Sequence, residues 1–378
     1  MNRLNGRQIV VGCPVPCDCY DGRGNLLLKK GLIVGSQRQV DFLLERGLFG
    51  QEAPDSAQSA LDGKPPTPFR ILTEFNDRLK HLFTLLGQES DAAESELSAI
   101  SFPDRILGLA EDVQKLCNFD ADAALGSVHL DSSGHYAVAH PLYRAVLCEL
   151  VALRKKISAE DRRSIIAAAL TCDLSMLKLQ DELFGHQGGL SDSQKQKITA
   201  HPRETVEMLE SFGVVNSIWT TAVMQHHERL NGKGYPAGLQ ADEISAWARV
   251  LRLADMYTAM MTPRMYRKPA TSKLAMREIF LKRGTEVDEE LAVLIVKELG
   301  VYPPGAFVKL KNGETGIVIK RGANPKAPLV KSVLGPRGAP LERPMSRVTG
   351  SPEFEIVDVV DRDPIVKIDL HKLWGYDV

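Results

Sequence analysis

From Phe69 to about Gly300 apolar residues recur at spacings of three and four. That is the mark of helices with one buried face. "FRILTEFNDRLKHLFTLLG" shows it first, and "HPLYRAVLCELVALRKK", "DRRSIIAAALTCDLSML", "TAHPRETVEMLESFG" and "ISAWARVLRLADMYTAMM" repeat it without a fixed period. Residues 1–50 read differently. "VPCDCYD" and "NLLLKKGLIV" are predicted strands joined by the turn "DGRG", and Ser36 is placed to cap a short helix that ends at Gly47. The stretch 51–68, "QEAPDSAQSALDGKPPTP", is a linker by its Pro, Ser, Gly and Ala content. After "GVYPPG" the pattern turns to alternation. Asn312-Gly313 sits between two alternating runs in "AFVKLKNGETGIVIKRG", and "APLVKSVLG" and "FEIVDVVD" read as further strands. The predicted fold is mainly α: a multi-helix domain over 69–300, a small α/β module over 1–50, and a small β-barrel over 301–378.

Composition narrows the function classes. The chain has 378 residues, which at about 100–200 residues per domain suggests two or three domains. Its net charge is −1, so no basic field supports nucleic-acid binding; a small anion needs only a local cluster of cations. No apolar run reaches the about 18–20 residues of a membrane span. The N-terminus lacks the apolar core of a secretory signal. The six cysteines are scattered, as expected of reduced thiols in a cytoplasmic protein. Cys17 and Cys19 alternate with polar or turn residues, so with Cys13 they read as small core residues rather than zinc ligands.

The chemistry lies in the helical region. His140 and His201 are each predicted to open a helix, and His226 and His227 to end one. Asp173 and Asp255 fall in apolar helical stretches. A buried carboxylate is costly unless paired or bound to metal. Two such aspartates beside several imidazoles are the donors of a metal site in a helical bundle. A metal centre of this kind activates water and clamps a phosphoryl oxygen. His81, His129, His135, His186 and His371 fit no motif, and Trp219 and Trp247 read as packing.

"HHERLNGKGYP" resembles the HHExxDGxGYP signature of the HD-GYP family. Other elements follow in the family's order over about 120–300: His140, the paired position at Cys172-Asp173, "AHP" with His201, "ADMYTAM" with Asp255, and "RMYRK". The "PPGAFVKLKNGETGIVI" segment resembles a tail found on many members. The resemblance implies a helical, metal-dependent phosphodiesterase of bacterial signal transduction. It would hydrolyse the second messenger cyclic di-GMP through pGpG towards GMP at a bi- or trinuclear, usually iron, centre; for this chain the expectation is one or two divalent ions, iron or manganese. It implies His140, Asp173, His201, His226, His227 and Asp255 as ligands, with Asp173 bridging and Cys172 as a further candidate. It also implies Arg264 and Arg267 on the phosphates, Tyr235 and the GYP loop shaping the substrate site, and that loop as a docking surface for GGDEF-type diguanylate cyclases.

The departures are specific. Cys172 replaces the family histidine of the HD pair, Ser175 a glycine, Met176 a lysine, Asn231 an aspartate, and Pro263 the aspartate before Arg264; Tyr136 stands where some members carry a glutamate. Thiolate binds iron and zinc, but a small buried core residue is the favoured reading of Cys172. A positioned cation lost at Met176 is worth about 10²–10³ in rate. Two readings therefore stay open: a phosphodiesterase weakened by Cys172 and Met176, or a catalytically degenerate sensor of cyclic di-GMP or protein-docking module.

Overall fold

The structure is a computed structural model and describes residues 2–3, 19–20, 26–28, 40, 48–49, 67–87, 101–130, 136–184, 189–262, 270–363 and 365–376. The chain forms two units, residues 1–66 and 67–377. In the first, strands β1 (Asn2–Arg3), β2 (Cys19–Tyr20), β3 (Leu26–Leu28) and β4 (Leu48–Phe49) make an antiparallel sheet in the order β1-β4-β2-β3. The predicted pairing of the first two apolar runs is the β2–β3 ladder. Cys13, Cys17 and, apart from Val40, the helix expected after Ser36 lie outside the described residues.

The second unit begins with helices α1 (Pro68–Leu86), α2 (Phe102–Phe119) and α3 (Ala121–Leu130). Thr67 and Ser101 cap the first two, each accepting from a backbone N–H of the first turn, with proline at the helix start. α4 (Tyr136–Arg154) and α5 (Ala159–Thr171) form the centre. In α5 every residue from Ser164 to Thr171 is buried. A helix apolar on all sides belongs inside a bundle, and here α5 packs against α4, α2 and α8. α6 (Leu177–Phe184), α7 (Asp192–Ser211), α8 (Ser217–Gln225), α9 (Ala246–Met261), α10 (Ser272–Leu281) and α11 (Glu289–Leu299) surround this pair.

Strands β5 (Phe307–Leu310), β6 (Thr315–Lys320), β7 (Leu329–Leu334), β8 (Pro340–Val348) and β9 (Ile356–Val359) follow, and α12 (Leu370–Trp374) comes after them. Asn312-Gly313 makes the β5–β6 turn as expected; Gly313 has φ +88° and Asn312 Oδ1 accepts from Glu314 N–H. The barrel expectation is corrected: the described strands form an open antiparallel sheet in the order β8-β7-β6-β5-β9. β8 ends it physically. Pro340 and Pro344 bring no N–H to an outer ladder, and most of its side chains are exposed. β8 also escaped the sequence reading, because a polar edge strand carries no apolar alternation.

Candidate metal centre

Four helices and two connecting segments bring the predicted ligands together. His140 lies on α4, in its second turn rather than at its start. His201 is in the middle of α7, because Ser191 and Gln194 form a capping box that starts the helix well before "AHP". Asp173 is not on a helix face. α5 stops at Thr171 with Cys172 as its C-cap, and Asp173 stands at the turn before a 3-10 segment, Leu174–Met176. Ser175 fastens that segment to α7: its Oγ donates to His201 O at 3.2 Å and lies 2.9 Å from Thr205 Oγ1. His226 caps the C-terminus of α8, His227 follows it, and Asp255 sits on α9.

The imidazoles are oriented from behind. Nδ1 of His201 is 2.6 Å from Ile198 O, and Nδ1 of His226 is 2.6 Å from Val223 O. A carbonyl only accepts, so both Nδ1 atoms carry a proton, and in the neutral rings both Nε2 atoms present lone pairs. Those two Nε2 atoms lie 3.3 Å apart, and two lone pairs at that distance repel unless a cation joins them. This is the observation on which the residues fit a metal. Donor atoms of His201, His226 and His227 lie within 4.8 Å of one another, and Asp173 Oδ1 is 3.5 Å from His201 Nε2. Tyr235 stacks on His227 at 4.6 Å between ring centroids and covers the cluster.

A residue that the sequence reading did not single out lies among the ligands. Arg144, one turn after His140 on α4, is wholly buried. Its Nη1 donates to Asp173 Oδ2 at 2.7 Å and to Asp255 Oδ1 at 2.8 Å, and its Nε donates to Ala169 O at 2.8 Å. Asp255 Oδ1 also lies 3.1 Å from His140 Nε2. Burial pushes both aspartates up, but their partners prevail. Arg144 and His201 hold Asp173 below the carboxylate range, and His140 and Arg144 hold Asp255 well below it. Both are anions. Burial and the neighbouring His201 bring His226 down to about 4, and burial lowers His227 as well, so both are neutral donors. Burial pushes the Cys172 thiol well up; its sulfur lies within 4.8 Å of donor atoms of Asp173 and His226.

The loop after His227 is built from backbone contacts. Glu228 is buried and accepts from Ala237, Gly238 and Leu239 N–H at 2.7, 3.1 and 3.0 Å. A Cβ at Gly234 would lie 2.4 Å from Arg229 N and Glu228 Cα, so only glycine fits there. Beside the loop, Arg229, Arg252 and Lys282 stand 3.5–3.6 Å from the single carboxylate oxygen Glu286 Oε2. A shallow groove of about 550 Å³ runs between α7 and Pro236, lined by Lys195, Gln196, Thr199, Ala200, Arg203 and Pro236. Arg264 and Arg267, expected on phosphate, lie outside the described residues.

Residues 131–291 match the family model of the HD domain. That stretch holds all six predicted ligands and the glycine-tyrosine-proline loop beside them. Among curated relatives the chain is 28% identical over 279 residues to a cyclic di-GMP phosphodiesterase of Pseudomonas aeruginosa, covering 70% of this chain and 65% of that one. It is 31% identical over 182 residues to a 3'3'-cGAMP-specific phosphodiesterase of Vibrio cholerae, covering 48% and 39%. The chain therefore spans less than two thirds of the length of either relative. A solved HDG"Y"P protein from Bdellovibrio bacteriovorus is 13% identical, with a TM-score of 0.48, over 78% of this chain and 97% of that one. Among the described residues no helix is long and apolar enough to cross a membrane.

Proposed function

We propose that this protein is a metal-dependent phosphodiesterase of the HD-GYP type that hydrolyses cyclic di-GMP to pGpG and GMP. The observation that carries the reading is the pair of Nε2 lone pairs of His201 and His226 at 3.3 Å, beside His227 and an anionic Asp173. The named activities of the two relatives, both cyclic-dinucleotide phosphodiesterases, support the substrate class.

His201, His226, His227 and Asp173 would hold the ion, with His140 and Asp255 on the far side of Asp173. A bound divalent ion, iron or manganese, supplies a water of lowered pKa and polarises a phosphoryl oxygen. The chain's own residues do the rest. The Nδ1–H bonds to Ile198 and Val223 fix the two imidazoles, and Asp173 is the charged catalytic ligand. Tyr235 closes one side of the site and keeps water away from the ring stack. Arg229 and Arg252, which stand beside the loop against Glu286, are with Arg264 and Arg267 our candidates for the substrate's phosphates, since guanidinium forks suit phosphate oxygens. We place the protein in the cytoplasm, with the GYP loop as the face that meets diguanylate cyclases.

A specific observation also favours the second reading, a sensor without turnover. Met176 brings no charge to the position where the family carries lysine, and Arg144 engages both aspartates. Elemental analysis of anaerobically purified protein, coupled to turnover of cyclic di-GMP and 3'3'-cGAMP on the same sample, separates the two. Bound iron or manganese with linear or mononucleotide product establishes the enzyme. Tight nucleotide binding with no product over hours establishes the sensor.

A further inference from the structure

The pocket formed by His140, Asp173 and Asp255 has donor atoms close enough for an ion, within 4.8 Å of one another. A charge already serves it. Arg144 Nη1 sits 2.7 Å from Asp173 Oδ2 and 2.8 Å from Asp255 Oδ1. We propose that the centre is mononuclear: one ion is held on the His201, His226 and His227 side, and the guanidinium of Arg144 takes the place of a second ion on the His140 and Asp255 side. The inference rests on the metal-centre reading above and deepens it.

Three features make Arg144 a permanent occupant. Its side chain is wholly buried, with none of its surface in solvent. It stands on α4, and its Nε is tied to Ala169 O of α5, so two central helices fix the fork. Each carboxylate in turn spends an oxygen on it, Asp173 its Oδ2 and Asp255 its Oδ1. Asp173 then divides its two oxygens. Oδ2 faces the guanidinium, and Oδ1 faces His201, 3.5 Å away on the imidazole side. The carboxylate expected to bridge two ions bridges an ion and an arginine.

Charge counting points the same way. Two carboxylates and the one guanidinium between them leave one net negative charge. One divalent ion brings the cluster to one net positive charge. A second would bring it to three, in a site with little water to screen the repulsion. A second ion would also have to displace Nη1 from both carboxylates, and the displaced guanidinium would remain buried without them.

Metal stoichiometry tests this without any activity assay. Full-length protein is loaded anaerobically with excess Mn(II), desalted, and measured by plasma mass spectrometry and electron paramagnetic resonance. The expected result is one ion per chain with an uncoupled six-line spectrum. His140→Ala keeps that stoichiometry and affinity within about twofold, whereas His201→Ala loses the ion. Arg144→Ala, if folded by circular dichroism, rises to two ions with a spin-coupled signal. Two ions in the wild type, or loss of the ion in His140→Ala, overturns the mononuclear inference and leaves the metal-centre reading standing. A wild type that takes up no ion overturns both.

Discussion

Glu228 follows the histidine pair directly, is buried, and accepts three backbone N–H groups from the loop that carries Tyr235 and Pro236. Its role is to clamp the loop. Removing the carboxyl breaks three hydrogen bonds whose donors lie in a partly exposed loop that water can reach, a loss of about 1–3 kcal/mol in all. Glu228→Ala is therefore expected to lower Tm by several degrees and to strip amide-exchange protection from Ala237, Gly238 and Leu239 selectively. Hydrogen exchange resolved to peptides checks it; unchanged protection there would remove the clamp. The same kind of side chain shows where sequence reading reaches and where it stops. Asp173 and Asp255 stood out because a carboxyl in an apolar run needs a partner. Arg144 sits in an equally apolar run, "YRAVLCEL", and the same argument applied to it would have found the aspartates' partner. It carried no motif, and an arginine is usually read as exposed. Arg264 and Arg267 lie outside the described residues, so their assignment rests on the resemblance alone.

The helices themselves were readable from their apolar spacing; their ends were less so. His201 is expected to open its helix, yet the Ser191–Gln194 capping box starts α7 well upstream and Pro202 lies inside it. The run "LTCDLSM" looked continuous, yet α5 stops before Asp173, and Ser175 with Thr205 pins the ensuing turn to α7. That break lets Asp173 face both His201 and Arg144. The loop between α8 and α9 was the most readable part, since its glycines answer to geometry. Gly234 approaches Glu228 Cα and Arg229 N so closely that a methyl group would sit 2.4 Å from each. Gly234→Ala must move the backbone next to His227. The expected result is a tenfold or greater loss of metal affinity, read by competitive chelator titration, with helical circular dichroism unchanged. Affinity within twofold of wild type would show that the loop gives way without disturbing the imidazoles.

Within residues 67–377 the helices and the open sheet are joined by polar contacts that no local pattern announces. Arg321, just after β6, reaches Asp122 on α3 at 2.5 Å and Glu298 on α11 at 2.7 Å. His129 on α3 is a second joint. Its Nδ1 lies 2.6 Å from Pro304 O, ahead of β5, and 3.0 Å from Leu125 O, so Nδ1 carries the proton. Its Nε2 then accepts from the Tyr257 hydroxyl of α9 at 2.7 Å. The sequence offered His129 only as a histidine without a motif; Pro304 and Tyr257 are far away in the chain, which is why its place could not be read. Burial brings its pKa from 6.5 down to about 4, more than its carbonyl partners raise it. The unfolded chain therefore binds the proton more readily between those values. This contribution to stability is complete above about pH 6.5, falls as pH drops from 6.5 to about 4, and is flat below. The full span is about 3 kcal/mol at 1.36 kcal/mol per pKa unit. His226 and His227 are shifted in the same direction, so the metal-free protein loses stability on acidification through several groups. His129→Gln isolates one of them: it cannot titrate, though its amide reaches Tyr257 and Pro304 less well. We expect it to be less stable than wild type at pH 8, and to lose markedly less Tm between pH 7.5 and pH 5 when both proteins are compared free of metal. Equal losses in the two proteins would mean that His129 does not carry the acid sensitivity assigned to this joint.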